Sequence, residues 1–118
     1  MPEAVVAITG ASGARYGVRL LDSLCEAGWS SHLIITREGA INLDLECGIT
    51  PAELASNSLI TLEDNDNLAA RSASGSARFD AYIVCPASGT TIGKIATGIS
   101  DNLATRSALV AMKERRKL

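Results

Sequence analysis

The hydrophobic positions alternate between two spacings, short apolar runs and longer stretches with a helical period. Ala4 to Thr9 is a continuous apolar run, rich in β-branched side chains, that stops at Gly10-Ala11-Ser12-Gly13. That pattern predicts a strand buried on both faces. From Ala14 the period changes: Ala14, Val18, Leu21 and Cys25 recur at helical spacing, with Arg15, Arg19, Asp22 and Glu26 opposite them. A helix is predicted to end near Ala27, with Gly28 as its C-cap. His32 to Thr36 predicts a second strand, Glu38 to Glu46 a helix, Pro51 to Ser56 a helical turn and Leu59 to Leu62 a short strand. Glu63 to Ser76 is polar and reads as a mobile loop. Ala81 to Pro86 is the last strand, and helices follow over Ile92 to Thr97 and Asp101 to Arg115, the second capped by Ser100 or Asp101.

Strands alternating with helices through short Gly/Ser turns imply right-handed crossovers and a parallel sheet covered on both faces. The expected fold class is therefore α/β, a Rossmann-like or flavodoxin-like three-layer domain. Residues 1-118 read as one such domain, without repeats. Four strands are few for this architecture, and the basic end of the last helix would normally feed another buried strand, so the domain is expected to lack its C-terminal part.

Composition narrows the partners. A net charge of -2 offers no surface for a polyanion, so nucleic acid is not expected. No apolar stretch approaches the roughly 20 residues that span a bilayer, and no basic region followed by an apolar core marks the N-terminus. A cytoplasmic protein without a membrane partner is expected. The three cysteines, Cys25, Cys47 and Cys85, form no CxxC pair and read as buried free thiols. The single histidine, His32, sits inside an apolar run, so no metal site is expected.

The candidate chemistry lies in turns that a parallel sheet places at the carboxyl ends of its strands. In Thr9-Gly10-Ala11-Ser12-Gly13 small residues let backbone N–H groups approach a ligand, and the following helix start favours an anion. Ser88, Thr90 and Thr91 place three hydroxyls beside another helix start. Arg106 and Lys113 fall two turns apart on one face of the final helix, where a cationic pair can grip an anionic substrate. A nicotinamide dinucleotide site is the competing reading, with Arg37 placed to meet a 2′-phosphate. It fails because Tyr16 stands where the third glycine is needed and no Tyr-x-x-x-Lys pair is present.

Two segments together, Ile8 to Leu21 (ITGASGARYGVRLL) and Asp101 to Arg116 (DNLATRSALVAMKERR), resemble the flavin prenyltransferases of the UbiX type. The resemblance runs over essentially the whole chain and implies an FMN-binding subunit. It would join a dimethylallyl group from dimethylallyl phosphate to N5 and C6 of reduced FMN. The product, prenylated FMN, would serve a UbiD-type decarboxylase. The resemblance also implies a homo-oligomer, a dodecamer or trimer-based assembly with sites between subunits, and no metal. Carried over by motif, Gly10, Ala11, Ser12 and Thr36 would contact the flavin. Ser88, Gly89, Thr90 and Thr91 would hold the FMN phosphate region, which Arg106 would complete. The catalytic residues implied are Ser12, relaying a proton from N5, Glu46 near the transferred group and Lys113 near the substrate phosphate.

The chain departs from that pattern in three places. Ala87 replaces a cysteine beside Ser88, and Cys47-Gly48 follows Glu46 where Thr-Asp or Thr-Gly is usual. The family's later segment, with its Pro-Arg-Glu motif and a phosphate-clamping tyrosine and arginine, would begin just after Leu118. Two alternatives therefore stand beside prenyl transfer. One is an FMN-dependent decarboxylase of the phosphopantothenoylcysteine type, which shares the look of Pro86-Ala87-Ser88 and of Gly93 to Leu103 but carries an asparagine where Thr90 stands. The other is a non-catalytic FMN-binding fragment.

Overall fold

The structure is a computed structural model describing all residues, Met1 to Leu118. Four strands, β1 (Glu3–Ile8), β2 (Ser30–Ile35), β3 (Ile60–Glu63) and β4 (Ala81–Val84), form one parallel sheet in the order β3-β2-β1-β4. Five α-helices connect or flank them: α1 (Ala14–Glu26), α2 (Arg37–Cys47), α3 (Pro51–Leu54), α4 (Gly89–Thr97) and α5 (Leu103–Lys113). The period-2 alternation of β1 divides the core. Ala4, Val6 and Ile8 pack with Leu21 of α1 and Leu33 on one face, while Val5 and Ala7 pack with Tyr82, Phe79 and Leu103 and Ala111 of α5 on the other. Both faces of a central strand are thus covered, which is why its run is continuously apolar.

The predicted α/β class and the predicted elements are present, with boundaries shifted by a few residues. Two differences have physical reasons. The last helix is capped by neither Ser100 nor Asp101 but by Asn102, whose side chain accepts from the Thr105 N–H at 2.9 Å while Thr105 Oγ1 accepts from the Asn102 N–H at 3.3 Å. That reciprocal arrangement satisfies two backbone donors together. The helix after β4 begins at Gly89, not Ile92, because Ser88 Oγ caps it by accepting from the Thr91 N–H at 3.1 Å.

The segment read as a mobile loop is tethered. A short 3-10 turn, Arg71–Ala73, lies against α5, and Asn65 accepts from the N–H groups of both Leu103 and Ala104. Arg71 Nη1 donates to Glu3 Oε2 at 2.7 Å and its guanidinium covers the Phe79 ring at 4.9 Å. His32 stands between carboxylates, 3.3 Å from both Glu3 Oε2 and Glu63 Oε2, with Phe79 edge-on to its ring. Cys25, Cys47 and Cys85 are free thiols, each half-buried rather than buried. No helix is long and apolar enough to cross a membrane.

Candidate functional site

The chain runs from β1 outward to β2 and β3, then crosses back to place β4 on the other side of β1. Such a reversal opens a crevice at the carboxyl ends of β1 and β4, where α/β sheets bind ligands. Thr9 spans that crevice. Its N–H and hydroxyl both donate to the Pro86 carbonyl, at 3.2 and 2.7 Å, and its Oγ1 accepts from the Ser88 N–H at 2.8 Å. The loops after β1 and β4 are thereby held in one piece. Thr36, at the end of β2, donates its N–H to the Ile8 carbonyl at 3.0 Å and caps α2 by accepting from the Gly39 N–H, also at 3.0 Å.

These three strand ends enclose a cavity of about 290 Å³ lined by Gly10, Thr36, Glu38, Ser88, Thr90, Thr91, Lys94 and Asn102. None of the eight is hydrophobic. Gly10 is required here, because any Cβ at that position would collide with the Cβ of Glu38. At the start of α4, Ser88 Oγ serves the Thr91 N–H, while Gly89 and Thr90 contribute the first two N–H donors, which have no partner within a helix. Hydroxyls, free backbone donors and one ammonium are the donor set of an anion site.

The structure sorts the sequence-derived candidates. Gly10, Thr36, Ser88, Thr90 and Thr91 line this one cavity. Ala11 and Ser12 lie in the loop after β1 and Gly89 is the first residue of α4, with Ser12 and Gly89 exposed. Glu46 is used differently: its Oε1 accepts from the N–H groups of Gly13 and Ala14, at 3.0 and 3.1 Å. A carboxylate therefore already occupies the N-terminus of α1. Arg106 is half-buried on α5, and its Nε is buried without a hydrogen-bond partner. Lys113 lies eleven positions past Asn102, about 16 Å at 1.5 Å per residue. It is exposed there and ion-paired with Glu114 at 3.0 Å, holding that carboxyl below its ordinary range.

Sequence reasoning missed Lys94, Glu38 and Asn102. Lys94 was legible in principle, since it follows Thr90 and Thr91 by four and three positions and so shares their helix face. Glu38 was not, because it reaches the cavity only through the packing of α2 beside Gly10. No group of three or more His, Cys, Asp or Glu side chains is placed to hold a metal ion.

The flavoprotein family profile matches residues 2–118 of this chain. The chain belongs to the Flavoprotein family. Within it, a probable UbiX-like flavin prenyltransferase of Bacillus subtilis is 43% identical over 114 residues, covering 97% of this chain and 55% of that protein. The flavin prenyltransferase UbiX of Thermoplasma acidophilum is 42% identical, covering 97% of this chain and 62% of that protein. Among solved structures, AnUbiX in complex with FMN and dimethylallyl pyrophosphate superposes with a TM-score of 0.93 at 34% identity, covering 98% of this chain and 61% of that one. A dodecameric FMN-dependent UbiX-like decarboxylase from Escherichia coli O157:H7 also gives 0.93, at 36% identity, with 98% and 63% covered. The chain thus spans between 55% and 63% of the length of these flavoprotein relatives.

Proposed function

We propose that this chain binds FMN at the polar cavity and forms part of a flavin prenyltransferase. The reaction would join a dimethylallyl group from dimethylallyl phosphate to N5 and C6 of reduced FMN, giving prenylated FMN for a UbiD-type decarboxylase. One observation carries the reading: the strand-end loops that hold the sequence-derived flavin residues meet at a single cavity that no hydrophobic residue lines. The fit is chemical, with hydroxyls of Ser88, Thr90 and Thr91 and the first N–H groups of α4 suited to a phosphate, and Gly10 leaving room for close approach. The relatives supply the direction, since those named above are called flavin prenyltransferases or are recorded with FMN.

In this reading Gly10, Ala11, Ser12 and Thr36 contact the flavin, Ser88, Gly89, Thr90 and Thr91 hold its phosphate region, and Arg106 supplies a further cation there. Bound reduced flavin provides the nucleophilic ring that accepts the prenyl group. The chain's own residues position it: Ser12 is available for a proton at N5, and Lys113 for the departing phosphate, whose negative charge grows as the allylic bond breaks. Lys113 stands away from the cavity along α5, and in this reading it serves the departing phosphate in a neighbouring copy, in keeping with a homo-oligomer. Glu46 supports the site by fixing the start of α1 through Oε1, which leaves its Oε2 for the transferred group. The location we assign is the cytoplasm.

The deciding experiment is intact mass and visible spectrum of the purified protein, with FMN, before and after dimethylallyl phosphate and reductant without oxygen. A flavin whose mass rises by one prenyl unit establishes transfer. A flavin that binds and never changes mass leaves a binding unit, and a protein that takes up no flavin overturns the reading.

A further inference from the structure

The cavity carries opposite charges on its two sides. Lys94 is the one cationic side chain among its eight lining residues, and Glu38, whose Cβ packs beside Gly10, is the one acidic side chain. Lys94 comes from α4, on the same side as Ser88, Thr90 and Thr91, whereas Glu38 comes from the first turn of α2. The ammonium does not dangle: Nζ donates to both carboxylate oxygens of Asp101, at 3.1 and 3.0 Å, which fixes it from the turn before α5. Asp101 is more than half exposed and Lys94 about a third. A pair this open to water is weak. A phosphate dianion entering beside the ammonium would compete with Asp101, because it brings more charge to a site that also holds hydroxyl and helix-terminal donors.

We propose that Lys94 is the specificity residue that makes this cavity select a phosphorylated ligand, with Asp101 as its resting counter-ion. The assignment rests on the flavin-binding reading and deepens it. Entry of the phosphate transfers the Lys94 hydrogen bonds from Asp101 to a phosphate oxygen and frees Asp101 to water, with no covalent change. Glu38 completes the device from the other side. Its carboxylate repels a second anion and accepts hydrogen bonds from neutral hydroxyls, so a ligand with a phosphate at one end and hydroxyls behind it enters in one orientation.

The test is equilibrium binding of FMN and of riboflavin, the same ring and chain without phosphate, to this protein and to Lys94→Met, Lys94→Arg and Asp101→Asn, read by flavin fluorescence quenching. Methionine keeps most of the lysine's volume and removes the charge at a partly exposed helix position, so the fold is retained, which circular dichroism checks. The expected result is that Lys94→Met weakens FMN by about 10- to 100-fold, the size of a charge-assisted hydrogen bond, and leaves riboflavin within about twofold. Lys94→Arg retains most of the preference for FMN, and Asp101→Asn binds FMN at least as tightly as the parent. A Lys94→Met variant that loses both ligands equally, or neither, overturns the assignment and leaves phosphate selection to the start of α4. A parent protein that binds neither flavin overturns the flavin reading itself and this assignment with it.

Discussion

At the scale of single residues, Glu46 has the best-defined duty in this structure. Its carboxylate satisfies two backbone donors at the head of α1 and faces the positive end of that helix. Glu46→Ala is therefore expected to lower the stability of the flavin-free protein by about 1–3 kcal/mol, with Glu46→Gln losing roughly half as much, measured by urea unfolding. If the side chain served only the transferred group, neither variant would shift the flavin-free midpoint. Two glycines make a contrasting pair. A Cβ at Gly39 would stand 2.5 Å from the Ile8 carbonyl oxygen, whereas one at Gly93, inside α4, meets nothing within 4 Å. Gly39→Ala is expected to destabilise by more than about 1 kcal/mol, because the backbone must shift. Gly93→Ala is expected to stabilise by about 0.5–1 kcal/mol by restricting the unfolded chain in a helical position. Thermal melts of the two variants give opposite signs if the close approach of α2 to β1 is as described.

At the scale of elements, the tether between the sheet and the segment after β3 is expected to contribute to stability against acid. The Arg71 hydrogen bond holds the Glu3 carboxyl below its usual 4.5, against some loss from burial. Burial alone would raise the Glu63 carboxyl, but hydrogen bonds from His32 and from the Ser72 N–H outweigh it and bring it below 4.5 as well. Carboxyls lowered in the folded state bind fewer protons than in the unfolded chain near and below pH 4.5. Their contribution is therefore present above about pH 5 and is lost as the pH falls through the folded values. The urea midpoint should hold from pH 7 to about 5.5 and then decline, and Glu63→Gln should lower it at pH 7 while making the acid decline shallower. An unchanged acid decline in Glu63→Gln would show that this tether does not set it. The polarity of residues 63 to 76 suggested mobility in the sequence because the partners that tether the segment, Glu3, His32 and α5, are distant along the chain. By contrast β1 and α1 were legible within about one residue, since their signals, an apolar run and a 3.6-residue period, are local.

At the scale of the whole molecule, the sheet has two edge strands, β3 and β4. β4 pairs with β1 alone, and beside it Ala81, Ile83, Val84, Ile92, Ile95 and Leu118 line an apolar trough of about 570 Å³. The chain's last residues run along this open edge, with the Tyr82 N–H donating to the Lys117 carbonyl at 2.9 Å. An apolar surface of this kind attracts other apolar groups. The protein by itself is expected to bind an environment-sensitive hydrophobic dye and to sediment partly as oligomers, and Ile95→Glu should reduce both. Dye fluorescence unchanged by Ile95→Glu would place the sticky surface elsewhere. The sequence by itself determined the α/β class, the order of the elements and the two hydroxyl- and glycine-rich turns that meet at the cavity, because periodicity, turn chemistry and strand-end placement follow from neighbouring residues. Only the tertiary structure decided that Glu46 caps α1, that Lys94 and Glu38 face the cavity, that Lys113 stands away from it and that His32 sits between two carboxylates. Each of those depends on which residues packing brings together, and that is set by how the elements pack against one another rather than by spacing along the chain.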